Sequence, residues 1–355
     1  MDSDAVQCPA AAEGAAPRQP AAARAGGGTA PRRARLHPLT LALPSPELEA
    51  AFWREAGTPA YALSDRVGLA FTSANHVFLW WAMRTLTSAE RMMDACPSPL
   101  TSVANANHLV SLSVALATFA ASLLAPARYR AVREPLAIGQ RLLRAVNTPI
   151  VQGCTSAAAY HRRIARDLAG AGGGPMAPAA IVVKHASLLG VLWAIQVLVF
   201  AFRVRWAAPV QIAAAVAGVF AMHGFACAAR AEPAVSAAAA QLCDWVQAVS
   251  GEAFGPAWPR AGVPWGLCTD GAVEFLVVLI ASLSSSLSLY VLYCREERHK
   301  LRYLESKGLL DERDCQGGPP AASGLRHAAA ATCCVVASIF AADTVASFGW
   351  RFSCS

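Results

Sequence analysis

Residues 271–293 read GAVEFLVVLIASLSSSLSLYVLY and contain a single charged side chain, Glu274. The hydrocarbon core of a bilayer is about 30 Å thick, and an α-helix needs about 20 mostly apolar residues to cross it. This stretch therefore predicts a membrane-spanning helix. The five serines between residues 282 and 288 are small enough to let neighbouring membrane helices approach closely.

Five further stretches have a similar length and apolar character, and each ends at Arg, Pro or a polar cluster. They are residues 67–86, 107–125, 179–202, 207–229 and 327–348. Because the bilayer core holds no water, each stretch must satisfy its own backbone groups and should be helical. The sequence thus predicts an all-α, polytopic integral membrane helical bundle with six transmembrane helices.

The composition supports the same class of protein. Of 355 residues, 55% are apolar and 15% are charged, whereas a typical soluble domain has about 25% charged residues. These fractions exclude a disordered chain and a coiled coil, and also a soluble enzyme of ordinary composition. The basic segments lack interleaved aromatic residues for base stacking, so no nucleic-acid partner is expected.

The distribution of basic residues predicts sidedness. Three segments hold seven, eight and seven Lys or Arg residues, namely 1–66, 127–177 and 294–326. Lys and Arg are enriched in cytoplasmic loops, so these segments are predicted to be cytosolic. Residues 87–106 hold one basic residue and residues 230–270 hold two, which predicts the opposite side.

Six crossings cannot satisfy this distribution, because the two crossings at 179–202 and 207–229 return the chain to the cytosol. A seventh, short membrane segment at 233–249 would supply the missing crossing, although Asp244 and Gln247 weigh against it. Alternatively, residues 294–326 do not follow the charge rule. We favour six spans plus one short membrane segment.

The chain divides into four predicted parts. Residues 1–44 are rich in Ala, Gly, Pro and Arg and should form a disordered N-terminal tail. Residues 45–66 predict a juxtamembrane helix, since Ser45 offers an N-cap followed by Pro46 and early acidic residues. The transmembrane helical domain covers residues 67–349, and 350–355 form a short C-terminal tail.

Two cytosolic segments within the transmembrane domain are predicted to be helical. In residues 127–177, apolar and Arg side chains alternate at near-helical spacing, which fits an interfacial helix beside anionic lipid headgroups. Residues 294–310 read as a charged helix, in which Glu296 and Lys300 form a favourable i,i+4 pair.

Two stretches resemble a known group of proteins. They are LPSPELEAAFWREAGTPAYALSDRVGLAF (43–71) and YVLYCREERHKLRYLE (290–305). Together they resemble uncharacterised multi-pass membrane proteins of green algae, in the segments that enter and leave the membrane region. The resemblance implies a membrane region and includes no catalytic motif.

Ionisable and polar residues inside spans are costly and are therefore functional candidates. His185 and Gln196 are eleven residues apart and share one helix face, while His223 and Asp343 lie deeper in their spans. These four side chains predict a polar intramembrane path. The alternative is that they form hydrogen bonds between packed helices.

The eleven cysteines are scattered, without metal-ligand spacing, so no metal or cofactor is expected. Cys294 stands at the membrane boundary before a basic helix and is a candidate palmitoylation site. Cys243 and Cys268 bracket a loop predicted to lie outside the cytosol, where a disulfide between them is permitted.

The predicted function is a membrane scaffold or an orphan sensor-like membrane region of a plasma membrane, endomembrane or organelle. Its partners would be the lipid bilayer and other membrane proteins. A small transporter or channel is the alternative. A membrane-embedded enzyme comes third, since no metalloprotease, nucleophile-elbow or phosphate-loop motif occurs.

Overall fold

The computed structural model describes residues 36–37, 40–85, 98–153, 157–171, 174, 176–254, 271–309, 320–347 and 354. Every regular element within these residues is a helix. The predicted all-α class is confirmed.

The helices follow the chain in this order: α1 Pro46–Phe52, α2 Thr58–Thr85, α3 Ser98–Leu124, α4 Pro126–Gly153, α5 Ala157–Gly170, α6 Ala177–Val199, α7 Val204–Ala221, α8 His223–Ala231, α9 Pro233–Phe254, α10 Ala272–Ser306 and α11 Pro320–Ser347. A π-helical turn, Trp53–Gly57, joins α1 to α2. A Cβ atom on Gly57 would lie 2.5 Å from the Trp53 ring, so this turn requires glycine where the ring packs.

Four of the described helical segments are long and apolar enough to cross a membrane. They are Ala106–Leu124, Val204–Ala231, Ala272–Ser306 and His327–Val345. They coincide with four of the six predicted spans. The other two, residues 67–86 and 179–202, lie largely on α2 and α6 and stay predictions.

The first helix begins as its sequence predicts. Ser45 is the N-cap, and its hydroxyl accepts a 3.1 Å hydrogen bond from the backbone N–H of Leu48. Pro46 follows in the first turn, where its missing N–H costs nothing. Helical structure then continues through the π-turn into α2 without a break at residue 66, where the sequence placed the boundary of a juxtamembrane helix.

Buried side chains form two clusters at opposite ends of the long helices. The Lys300 end comprises residues around Lys300, among them Phe52, Trp53, Tyr61, Phe202, Leu292 and Leu304. The Cys227 end comprises Cys227 with residues that include Tyr160, Ile181, Phe225, Val235 and Phe275. Phe275 and Leu292 are 17 residues apart on α10, which corresponds to about 25 Å along an α-helix.

Apart from α9, the seven helices of 18 or more residues in the described part of the chain run alternately between these ends. α2 leaves the Lys300 end and α3 returns to it, where Arg66 donates to the Ser122 carbonyl at 3.3 Å. α4, α7 and α11 then lead toward the Cys227 end, whereas α6 and α10 return. On α6, for example, Ile181 is buried at the Cys227 end and Val197 at the Lys300 end.

The described part of segment 127–177 is helical, as its periodicity predicts, and its cytosolic, interfacial position stays a prediction. It folds into α4 and α5, and these helices pack at different ends: Ala137 of α4 belongs to the Lys300 end, and Tyr160 of α5 to the Cys227 end. α4 packs lengthwise between α3 and α7. The periodicity correctly indicated helix, but it could not indicate that the face of α4 with Arg133 and Arg141 packs against other helices.

Large apolar side chains lie on the surface of the bundle, and polar side chains lie among its buried apolar clusters. Its surface carries large apolar side chains, including Val67, Phe71, Phe78, Leu109, Val110, Leu116, Ile212, Val216, Phe220 and Phe340. Its interior holds polar ones, including Asp65, Thr72, His76, His108, Arg133, Gln140, Arg141, Gln211 and Ser285. Contiguous apolar surface of this extent marks contact with lipid or protein. With the four spanning helices, it identifies a membrane protein.

Candidate functional site

The most unusual buried side chain is Arg141 on α4. It is 3% exposed, and its Nη2 donates to Gln211 Oε1 of α7 at 2.7 Å. Gln211 Nε2 donates in turn to Ser285 Oγ of α10 at 3.1 Å. One chain of hydrogen bonds therefore links three helices through the bundle interior.

Arg141 lacks a counter-ion within the described part of the chain. Its guanidinium packs against the ring of Phe202, 4.9 Å from the centroid, and no carboxylate contacts it. Its second terminal nitrogen, Nη1, is buried without a hydrogen-bond partner in the described residues. A buried charge with an unsatisfied donor is costly. Among the described residues, the uncompensated charge and free donor make Arg141 the candidate anion-binding group of the bundle.

Arg141 also lies deep in the bundle. It follows Arg133 by eight residues on α4, which is about 12 Å of helix. Arg133 is tied to the Lys300 end through the Ala201 carbonyl. Since half of a hydrocarbon core is about 15 Å, Arg141 reaches toward the middle of the bundle.

Arg133, about two turns closer to the Lys300 end, is in contrast a neutralised arginine. Its Nη2 donates to Asp65 Oδ1 at 2.8 Å, its Nε donates to Asp65 Oδ2, and Nη2 also contacts the Ala201 carbonyl. The Tyr129 hydroxyl donates to Asp65 Oδ2 at 3.0 Å. Asp65 and Arg133 are 0% and 3% exposed, so this is a closed, buried ion pair.

A second buried charge cluster stabilises the Lys300 end. Lys300 Nζ donates to Glu49 Oε1 at 2.7 Å, to Glu296 Oε1 at 2.9 Å and to the Leu41 carbonyl at 2.7 Å. These contacts use all three donors of the ammonium group. The sequence indicated the Glu296–Lys300 pair and missed Glu49, which lies 251 residues before Lys300.

Glu49 is itself held by several donors. Trp53 Nε1 donates to Glu49 Oε1 at 2.7 Å, and the Leu43 backbone N–H donates to Oε2 at 2.9 Å. Burial alone would raise the pKa of the Glu49 carboxyl. The hydrogen bond and charge of Lys300, together with the Leu43 and Trp53 donors, lower this pKa by more than burial raises it. The pKa of Glu49 therefore lies below its usual value. The carboxylate is the stable form at neutral pH.

The two stretches 43–71 and 290–305 meet in this cluster. Glu49, Phe52 and Trp53 come from residues 43–71, while Glu296 and Lys300 come from residues 290–305. The two stretches therefore pack against each other at the Lys300 end.

The four residues of the predicted polar path lie on different helices, except that His185 and Gln196 share α6. His185 lies at the Cys227 end, where its Nε2 is 3.3 Å from Asp167 Oδ2 of α5. The Gln196 side chain lies outside the described residues. His223 is exposed at the start of α8, and Asp343 is half-buried on α11. The path through these four residues stays a prediction.

The predicted cysteine sites also stay predictions. Cys294 is half-buried with its Sγ 3.9 Å from His327 Nδ1, which does not test palmitoylation. Cys243 is disulfide-bonded, but Cys268 lies outside the described residues. A disulfide that the sequence did not predict joins Cys227 of α8 to Cys354, with Cα atoms 5.5 Å apart.

One pair of buried histidines bridges α2 and α3. His108 Nε2 donates to the His76 carbonyl at 2.8 Å, and the two Nδ1 atoms are 3.3 Å apart. The described residues contain no group of three side chains suited to hold a metal ion. The pair acts as a contact between helices.

No family model, no curated protein and no solved structure matches the chain. The site must therefore be interpreted from its own geometry.

Proposed function

We propose that this chain is a polytopic membrane carrier that binds a small anion at Arg141 and passes it between the two ends of the bundle. The observation that supports the proposal is the buried guanidinium of Arg141, whose Nη1 donor and positive charge have no partner in the described residues. An anion at Nη1 would supply both a counter-charge and an acceptor, and guanidinium is well suited to carboxylate-like or phosphate-like anions.

The donors around Arg141 favour a small and transiently bound anion. Gln211 and Ser285 are polar but uncharged, so an anion there would be neutralised by Arg141 alone. Phe202, which is 1% exposed, covers the guanidinium on the side of the Lys300 end. Because both Arg141 and Phe202 are buried, an anion would reach Arg141 only after a change of conformation, which favours a carrier rather than a permanently open pore.

In this proposal the bundle crosses the membrane seven times, and α4 supplies the crossing that the six apolar stretches lack. Three large apolar side chains of α4 face outward: Val132, Leu142 and Val146 are 48%, 44% and 58% exposed. The buried Arg133 and Arg141 face inward. Helix α9, which holds the predicted short segment 233–249, packs its buried residues at the Cys227 end instead.

The same arrangement agrees with the charge rule for two of the three basic segments, while the arginines of α5 lie at the Cys227 end. The basic tail and the basic arm after residue 294 then share the cytosolic side at the Lys300 end, as the charge rule requires. The Cys227 end, with the Cys227–Cys354 disulfide, would face a compartment that permits disulfides. Helix α9, which follows Arg230, would lie on that side.

Flux measurements test the carrier. We expect proteoliposomes of the full chain to release at least one of chloride, nitrate, formate and phosphate faster than protein-free vesicles. Arg141→Gln should reduce this flux to the protein-free rate, because the neutral amide attracts no anion. Arg128→Gln removes an exposed arginine from the same helix and should leave the flux unchanged.

Absence of flux for all four anions in the wild-type protein would contradict the carrier and favour a scaffold or sensor-like region. Equal flux in Arg141→Gln and wild type would show that Arg141 does not bind the transported anion.

A further inference from the structure

A small basic cavity opens where α2, α3 and α4 meet. Its volume is about 130 Å³, and its lining includes Ala62, Arg66, Ser122, Tyr129 and Arg130. One water needs about 10–15 Å³ of such space. The cavity therefore has room for a group of several heavy atoms.

The cavity has two positive charges and no acidic side chain in its lining. Arg66 is half-buried and donates to the Ser122 carbonyl, and Arg130 is exposed. Neither arginine has a carboxylate partner in the described residues. The carboxylate of Asp65, next in sequence to Arg66, is committed to Arg133 and Tyr129. An anion in the cavity would meet uncompensated positive charge.

A long helix begins at this cavity. Pro126, the first residue of the 28-residue helix α4, belongs to the cavity lining. The N-terminus of a helix carries a partial positive charge and unpaired N–H groups. The C-terminus of α3, at Leu124, meets the same point with the opposite partial charge, so the positive charge of the cavity comes from the two arginines.

The cavity lies at the border between exposed charge and exposed apolar surface. On one side stand the exposed Arg128 and Arg130. On the other side the apolar exterior begins at once, with Val67 58%, Leu123 50% and Leu124 85% exposed. A phospholipid has a matching arrangement, because its charged phosphate lies next to its apolar acyl chains.

We propose that this cavity binds the phosphate of an anionic phospholipid headgroup, with the acyl chains lying along Val67, Leu123 and Leu124. Arg66 and Arg130 hold the phosphate oxygens through charge-assisted hydrogen bonds, which are short and strong for arginine. Two arginines suit a phosphomonoester such as phosphatidate, which carries more charge than a diester. The site is separate from Arg141 and does not depend on transport.

Lipid binding to the detergent-solubilised full chain tests this site by native mass spectrometry. The probe is dioleoyl phosphatidate, titrated against wild type, Arg66→Gln/Arg130→Gln and the control Arg298→Gln/Arg302→Gln. The control removes two exposed arginines from α10. We expect the first bound lipid to lose at least tenfold in affinity in the cavity variant and less than twofold in the control.

A second variant distinguishes loss of the binding site from misfolding caused by removal of the two arginines. Ala62→Leu fills the cavity and keeps both arginines, and it should also weaken the first phosphatidate at least tenfold. Dioleoyl phosphatidylcholine should bind wild type more weakly than phosphatidate, since its phosphate is a diester beside a cation.

Three outcomes would overturn the proposal. Equal loss in both double variants would mean general attraction to positive charge. Unchanged affinity in Ala62→Leu would mean that the cavity is not the site. Displacement of phosphatidate by an equal concentration of inorganic phosphate would identify a site for free phosphate, because the acyl chains would then contribute nothing.

Discussion

Lys300→Met is expected to lower the free energy of unfolding by about 3–5 kcal/mol, the usual cost of removing one partner from a buried ion pair. Lys300 is 1% exposed and is the cation between Glu49 and Glu296. Methionine preserves much of the side-chain volume but leaves two carboxylates facing each other without a counter-charge. Unfolding by denaturing detergent, followed by helical circular dichroism, measures the loss.

An exposed pair nearby provides the control. Lys307 Nζ lies 2.9 Å from Glu55 Oε2, but both side chains are almost half exposed. Solvent screens such a pair, so Lys307→Met should leave the unfolding curve unchanged. Adding Glu49→Gln and Glu296→Gln to Lys300→Met should recover part of the lost stability. A similar loss from Lys307→Met and Lys300→Met would contradict a special role for burial.

Asp65→Leu should have the second large effect, again about 3–5 kcal/mol of unfolding free energy. The substitution leaves the guanidinium of Arg133 charged, 3% exposed and bonded only to the Ala201 carbonyl. It also removes the acceptor of the Tyr129 hydroxyl. Since Asp65 connects α2 to α4, the packing of α4 in the bundle should weaken as well.

A double-mutant cycle isolates the ion pair. Asp65→Leu/Arg133→Leu should be more stable than Asp65→Leu alone, because it no longer buries an unpaired charge. Lys184→Met is the control at the other end, since Lys184 is 56% exposed in its pair with Asp167 and should matter little. If the double variant is less stable than Asp65→Leu alone, the buried charge is not the source of the loss.

The sequence predicted those features of the fold that depend on local pattern. Apolar length located four helices that could cross a membrane. The Ser45–Pro46 pair located the first helix, and i,i+4 spacing located Glu296 beside Lys300. Each of these features involves residues close together in the chain. Helix type and helix ends follow from such short-range chemistry.

The candidate site could not be predicted in the same way. Helical spacing placed Arg133 and Arg141 on a polar stripe of one helix, yet an amphipathic helix can turn that stripe to headgroups or to other helices. The orientation is decided by hydrogen-bond partners that are distant in sequence. Asp65 lies 68 residues from Arg133, and Gln211 lies 70 residues from Arg141. Ser285, which bonds to Gln211, lies a further 74 residues along the chain. Only tertiary packing brings them together.

The same ambiguity explains the conflict in the predicted topology. The eight basic residues of 127–177 were counted as one cytosolic loop, whereas the structure divides them between α4 and α5. Treating α4 as a crossing changes an even number of spans into an odd one. A buried arginine with a polar interhelical partner is the signal that hydropathy alone does not detect.

The most direct test of the seven-crossing bundle is the sidedness of its two ends in sealed vesicles of known orientation. Epitope tags are attached before Met1 and after Ser355, and each is tested for protection from added protease. The bundle predicts that the N-terminal tag is cytosolic and that the C-terminal tag, close to the Cys227–Cys354 disulfide, lies on the opposite side. Both tags on the same side would mean an even number of crossings and would contradict the placement of α4 across the membrane.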